Sequence, residues 1–226
     1  MDYRIEGSVM QFLEVQMKQG EAIYTESGGM AWMSEGIEMT TNTHGGLLSG
    51  LGRALSGESL FMTTYTCSAP QGLIAFTPEA PGKVLAMHLA AGQSLICQKD
   101  AFMCAENTVN LEMFFRRKLG AGLFGGEGFI LEKVTGPGTV FLEIPGEVKE
   151  YNLGANSRLK IDPGHIAIFE PTVQYDITMV KGISNMLFGG EGLFLATLNG
   201  PGRVWLQTMP IINLASKISS YLPRKS

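Results

Sequence analysis

The chain has 226 residues, 45% hydrophobic and 17% charged, with a formal net charge of -4 at pH 7. That length supports one large domain or two small ones with a substantial core, and the acidic balance argues against nucleic-acid binding, which usually needs a basic face. No apolar run reaches the ~18 residues that span a bilayer, the opening "MDYRIEGSVMQF" lacks the apolar stretch of a secretory signal, and Cys67, Cys97 and Cys104 form no CxxC pair, reading as small buried hydrophobes in a cytoplasmic setting.

In chain order, the sequence reads as short strands cut by turns. "GSVMQFLEVQM" at 7–17 is the first strand signal, β-branched and aromatic with partial alternation. "QGEAIYTESGGMAWM" at 19–33 turns at its "SGG", and an apolar, Gly-rich segment, "THGGLLSGLGRALSG", fills 43–57. Beyond it come "LSGESLFM" at 55–62 and turns at "APQG" and "APG". "MFFRRKLGAGLF" at 113–124 joins two aromatics to three consecutive cations. "LFGGEG" at 123–128 leads into the strand signal "GFILEKV", then "TGPG", then the strand "GTVFLEIPG". "HIAIFE" and "QYDITMV" follow before "LFGGEG" recurs at 187–192, trailed by "NGPG" and the strand "GRVWLQTMP". Two stretches read as helical: the short apolar segment before each GEG, and "PIINLASKISSYLP" at 210–223. In the latter, Ile211, Ala215, Ile218 and Leu222 share one face between two prolines.

The two LFGGEG copies lie 64 residues apart (Glu191 against Glu127), and the same offset aligns much more. Pro81-Gly82 falls on Pro145-Gly146, Leu89 on Leu153, Glu106 on Glu170, Thr108-Val109 on Thr172-Val173, and one GPG on the next. A register held that long without a gap marks duplicated units. A third, degraded copy lies at the front, with Glu58 on Glu127 and 19–33 on 91–105. The chain is therefore read as one all-β domain of three repeats, at about 1–72, 73–136 and 137–210, followed by a C-terminal helix and tail.

Three β repeats carrying "GEGLFL" at 190–195 followed by "NGPG" at 199–202 resemble the altered-inheritance-of-mitochondria protein 24 family over nearly the whole chain. The resemblance implies compact antiparallel β-sandwich units like those of the tryptophan RNA-binding attenuator protein, related to double-stranded β-helices. Eukaryotic members of that family are mitochondrial and linked to inner-membrane organisation. This chain opens without an Arg-rich presequence, so it looks like a bacterial, cytoplasmic member. The family has no established enzymatic activity, so the resemblance implies a fold and not a reaction.

The residues support the same view. LFGGEG has no lysine, precedes a strand rather than a helix, and carries a glutamate that would repel phosphate. It reads as a tight turn with positive φ at Gly125-Gly126 or Gly189-Gly190, leading into a strand, and Gly126, Gly128, Gly190 and Gly192 are repeat-equivalent turn or interaction positions. A functional alternative is that Glu58, Glu127 and Glu191 converge on a shared axis. A cupin-type metal site needs two histidines two apart on a strand, whereas His44, His88 and His165 each stand alone. No GxSxG is present, and neither Ser49 nor Cys104 has a visible base partner. The sequence thus predicts no catalytic, cofactor or metal site.

Two segments suit a partner. Arg116, Arg117 and Lys118 beside Phe114 and Phe115 would attract an anionic surface or a peripheral membrane contact, unless one Phe enters the core and the cations are simply solvated. The apolar segment 45–57 suits burial against another subunit. The expected function is a non-enzymatic oligomeric β scaffold or interaction protein, a homo-oligomer with a trimer as first choice, with no nucleic-acid partner. The alternative is a small-ligand or RNA-binding protein that reuses the attenuator-like fold.

Overall fold

The computed structural model describes residues 1–26, 29–43, 61–117, 128–179, 194–219 and 221–222. Within these the chain is mostly β, with four antiparallel sheets and a single α-helix among the described residues. It divides into two compact units, neither of them one continuous stretch of chain.

The first unit comprises Met1–Gly92, Phe102–Asn110 and Gly136–Glu143. One of its sheets has the order β1 (Asp2–Glu6), β2 (Phe12–Lys18), β7 (Gln71–Phe76), β4 (Met30–Met33). The other runs β5 (Ile37–Thr43), β6 (Phe61–Cys67), β3 (Ala22–Glu26), β10 (Phe102–Glu106), β13 (Gly138–Pro145), β8 (Gly82–Leu89). Strand β2 shows why this sequence forms sheet. Leu13, Val15 and Met17 are buried while Gln16 and Lys18 are exposed, the two-residue period of a strand with one face on the core. Those three side chains pack with Ile23, Tyr65, Ile74, Phe76 and Phe141 in one cluster, so both sheets contribute to it. Each such burial is worth about 1.5–3 kcal/mol.

The second unit comprises Gln93–Ala101, Leu111–Thr135 and Ile144–Ser226. Its larger sheet runs β11 (Asn110–Arg117), β12 (Phe129–Thr135), β9 (Ser94–Gln98), β16 (Ile166–Phe169), β19 (Gly202–Gln207), β14 (Val148–Leu153). A three-stranded sheet, β15 (Arg158–Ile161), β18 (Phe194–Asn199), β17 (Gln174–Met179), completes it. Phe129, Leu131, Ile168's neighbour Phe169, Ile177, Leu198 and Val204 are buried in its interior. Helix α1 (Ile211–Ser219) follows Pro210, which suits a helix start because proline has no N–H to leave unpaired. Its first turn is half-buried, but Ala215 is exposed and Ile218 and Leu222 are 52% and 61% exposed, so the four-residue face read from the sequence is docked only at its beginning.

The two six-stranded sheets follow the same plan. In each, two strand trios meet in the middle, at β3–β10 and at β9–β16. The registers match: Ala105 faces Tyr24, and Phe169 faces Ile96, with 105 and 169 lying 64 apart and 24 and 96 lying 72 apart. The register also slips at Phe102/Cys104 and at Ile166/Ile168, and again at Met30/Trp32 in β4. Such bulges bend a strand and strengthen its local twist.

A polar latch recurs at the same places. The Glu106 carboxylate accepts a 2.9 Å hydrogen bond from the Thr139 N–H, and Glu170 accepts one of 2.9 Å from the Arg203 N–H. The Ser34 hydroxyl oxygen accepts from the Leu73 N–H at 2.9 Å. Each ties the end of one strand (β10, β16, β4) to the start of its neighbour (β13, β19, β7). The GPG turns are packed tightly in both units. A Cβ on Gly136 would lie 2.5 Å from the Leu89 carbonyl oxygen, and one on Gly200 would strike the Gly154 carbonyl oxygen.

Candidate functional site

Among the described residues, strand β4 ends its sheet and is paired to β7 alone. Its sequence is MAWM, yet three of its four residues are exposed, with Trp32 at 43% and Met33 at 37%. By contrast, β16 is buried throughout and β10 in all but its last residue. The Trp32 ring leans on Phe12 at 5.6 Å, which fixes its orientation without covering it. Exposed Glu35 follows in the turn after β4. An apolar edge strand offers unpaired backbone N–H and C=O groups along with side chains that favour burial, the combination that recruits another strand.

Strand β15, sequence RLKI, likewise ends its own sheet, paired to β18 alone among the described residues. Arg158 and Lys160 are exposed, and Leu159 and Ile161 are half-buried. The Arg158 Nε donates to Asn199 Oδ1 at 2.8 Å, across to the paired strand β18. Basic residues are a common means of blunting an edge, so β15 is protected from promiscuous pairing in a way that β4 is not.

A cavity of about 210 Å³ lies within the second unit. Gln98, Gly128, Ile130 and Gln207 line it, and Ile211 and Ala215 of α1 form one wall. The Gln207 amide donates to Gln98 Oε1 at 2.9 Å and to the Gly164 carbonyl at 2.7 Å. These bonds fix the orientation of the Gln207 amide against Gln98.

Glu58, Gly126, Glu127, Gly190, Glu191, Gly192, Lys118, His44, Ser49 and the segment 45–57 lie outside the described residues, as do both apolar segments before GEG. Gly128, the last residue of the first motif, has φ +85° immediately before β12, a conformation that glycine takes at little cost. Phe115 packs edge-on against Tyr175 at 5.4 Å, while Phe114 is 51% exposed. Arg117 Nη1 donates to the Ile177 carbonyl at 2.6 Å, so this cation is engaged inside the second unit.

His165 Nδ1 lies 2.8 Å from the Gln207 carbonyl oxygen, and His88 Nδ1 lies 3.5 Å from Thr139 Oγ1. Burial, and secondarily the Glu143 carboxylate, push the Cys104 thiol well above its usual range, so it stays protonated and unreactive near neutral pH. Burial also raises the Tyr175 hydroxyl far above its ordinary range, against the opposing pull of Arg117. That hydroxyl has no hydrogen-bond partner among the described residues, although its ring stacks on Phe129 and Phe169. Among the described residues no three His, Cys, Asp or Glu side chains are grouped to hold a metal ion, and no helix is long and apolar enough to cross a membrane.

Sequence reasoning missed the β4 and β15 edges. The signal was present in part: MAWM is as apolar as FMCA at 102–105, and nothing in it marks an edge.

Four antiparallel sheets, a short C-terminal helix and tightly packed GPG turns define a mostly β protein with a recurring strand plan. The chain belongs to the family described as Mitochondrial biogenesis AIM24, which matches residues 3–209. It is 29% identical over 227 residues to an uncharacterized protein of Streptococcus pyogenes serotype M6, covering 96% of this chain and 90% of that one. It also resembles the X-ray crystal structure of a Streptococcus pyogenes protein determined as a structural genomics target. There the TM-score is 0.78 and the identity 24%, over 98% of this chain and 99% of that one, a likeness of fold.

Proposed function

We propose that this protein is a non-enzymatic β scaffold that acts as a homo-oligomer, with a trimer as first choice, in the cytoplasm. The observation that carries the reading is the exposed apolar edge of β4. A soluble protein ordinarily covers such an edge, and self-association covers it with the chain itself. The polar side chains support a structural role. Glu106, Glu170 and His165 each bond to the backbone of a neighbouring strand, and so serve the fold. The three cysteines are buried and form no disulfide, in keeping with a reducing compartment. Light scattering on the purified protein tests the reading. A mass near three times the 24.4 kDa chain is expected, and a mass near one chain at micromolar concentration overturns it.

A second reading, small-ligand binding, is favoured by the cavity beneath α1. Native mass spectrometry separates the two readings, because a co-purifying small molecule released by Gln207→Leu would support the second.

A further inference from the structure

Two strand junctions in this molecule share one geometry. At the first, β10 lies antiparallel to β3, with Ala105 opposite Tyr24. At the second, β16 lies antiparallel to β9, with Phe169 opposite Ile96. The strand that precedes this series on one side is β4: Met33 lies 72 residues before Ala105, and the bulge at Met30/Trp32 stands where β10 and β16 bulge. The strand that continues it on the other side is β15: Lys160 lies 64 residues after Ile96. Strands β4 and β15 are thus the two halves of a third junction of the same kind, and each ends its own sheet.

We propose that β4 of one copy pairs edge-on, antiparallel, with β15 of a second copy, Met33 opposite Lys160. This rests on the oligomeric reading above and names the surface that makes the oligomer. The register it sets is chemically sound. Trp32 falls opposite Ile161, joining an exposed aromatic to a half-buried β-branched residue, a favourable cross-strand pair. Glu35 falls opposite Arg158, both exposed and of opposite charge. At the β10–β3 junction the corresponding positions are Asn107 and Ala22, where the Asn107 N–H donates to the Ala22 carbonyl at 3.2 Å. The same bond from Glu35 to Arg158 would extend the ladder past the end of β4. A β4–β4 pairing would bring Trp32 against another apolar edge with no such charge match. The basic β15 edge would repel its own copy, so the surfaces select one another.

The contact is head-to-tail. Each chain offers one β4 and one β15, so every added copy exposes a fresh edge until the assembly closes into a ring.

Cross-linking tests this directly. Residues directly opposite in an antiparallel pair have Cα atoms about 4.5–5.5 Å apart, within the span of a disulfide. Met33→Cys and Lys160→Cys are made as separate full-length variants, both at exposed positions. They are mixed at micromolar concentration, given time to exchange subunits, mildly oxidised, blocked and run unreduced. The native cysteines are buried, and wild type reports any background they give. A covalent dimer in the mixture, absent from either variant alone, is the expected result. The chain carrying both substitutions should give a ladder of multimers. The proposal is overturned by a dimer from either variant alone, by no dimer in the mixture, or by a doubly substituted chain that cross-links only within itself. Trp32→Glu should lower the light-scattering mass to that of one chain with an unchanged circular dichroism spectrum. If wild type is monomeric, both this inference and the oligomeric reading fail. If it is oligomeric and Met33 does not cross-link to Lys160, only this inference fails.

Discussion

Replacing Gly136 or Gly200 with alanine probes a close approach of the GPG turn to a neighbouring backbone. A Cβ at Gly136 would stand 2.5 Å from the Leu89 carbonyl oxygen, 2.6 Å from that of Ala90 and 2.7 Å from Leu89 Cβ. At Gly200 it would strike the Gly154 carbonyl oxygen and come within 2.8 Å of both the Leu153 carbonyl oxygen and Leu153 Cβ. The carbonyl oxygens are backbone atoms at or just beyond the ends of β8 and β14, and the Cβ atoms are fixed to that backbone, so none can swing aside as a side-chain tip would. Overpacking typically costs about 1–3 kcal/mol, and a clash with backbone belongs at the upper end, about 3 kcal/mol. For a chain of this length each kcal/mol moves Tm by about 2–4 °C, so each variant should melt about 6–12 °C below wild type. Two controls isolate the cause. Gly154→Ala meets nothing closer than Ser157 Oγ at 3.5 Å and should stay within about 0.5 kcal/mol of wild type. Gly92→Ala has open space but φ +77°, so it should show only the backbone cost, about 1 kcal/mol. Thermal melts followed by circular dichroism measure all four. Gly136→Ala and Gly200→Ala melting with the Gly154 control would refute the packing argument.

Tyr175→Phe removes a buried hydroxyl that has no partner among the described residues, so urea unfolding should show equal or greater stability. A loss of more than ~1 kcal/mol would mean that the hydroxyl is bonded. Glu170 is raised by burial but more strongly lowered by the Arg203 N–H and guanidinium, and its folded carboxyl sits below the usual range. Its contribution is therefore complete above the unfolded value of about 4.3 and is lost as pH falls through the lower folded value. Glu170→Gln should cost about 0.5–1 kcal/mol at pH 7, the ion pair being partly solvated, and progressively less as the pH falls below the unfolded value. A deficit that does not change with pH would contradict that account. The acidic chain should bind single-stranded RNA without measurable affinity at physiological salt. Tight binding with a steep salt slope, abolished by Arg116→Glu, would reverse that expectation.

Strand class was legible because it depends on neighbouring residues. The strand signal at 7–17 and the turn at 136–138 are local; the turn stands where the pattern puts it, and the strand forms over Phe12–Lys18, overlapping the later part of its signal. The alignment of Glu106 with Glu170 was legible too, and both carboxylates turn out to hold a neighbouring strand. Pairing was not legible. Whether FMCAE at 102–106 lies beside AIYTE or at an edge depends on residues about 80 positions away, and MAWM carries no mark that distinguishes its exposed place from the buried place of FMCA. The helix at 211–219 was legible from its period, but the extent of its docking was not. The period shows which side chains share a face and not how much of that face finds cover.

The wiring of β3, β10 and β13 sets the order in which this protein can be completed during synthesis. Side by side in one sheet, these strands come from residues 22–26, 102–106 and 138–145. When the first ninety residues have left the ribosome, β3 still lacks the neighbour on its β10 side. That sheet cannot finish until about 145 residues are out, by which time strands β9, β11 and β12 of the other unit have also emerged. Nascent chains of intermediate length therefore carry unsatisfied strand edges from both units at once, the condition under which β-rich proteins aggregate or engage chaperones. For the same reason neither unit can be expressed as one uninterrupted fragment. Any cut between residues 93 and 143 divides both of them.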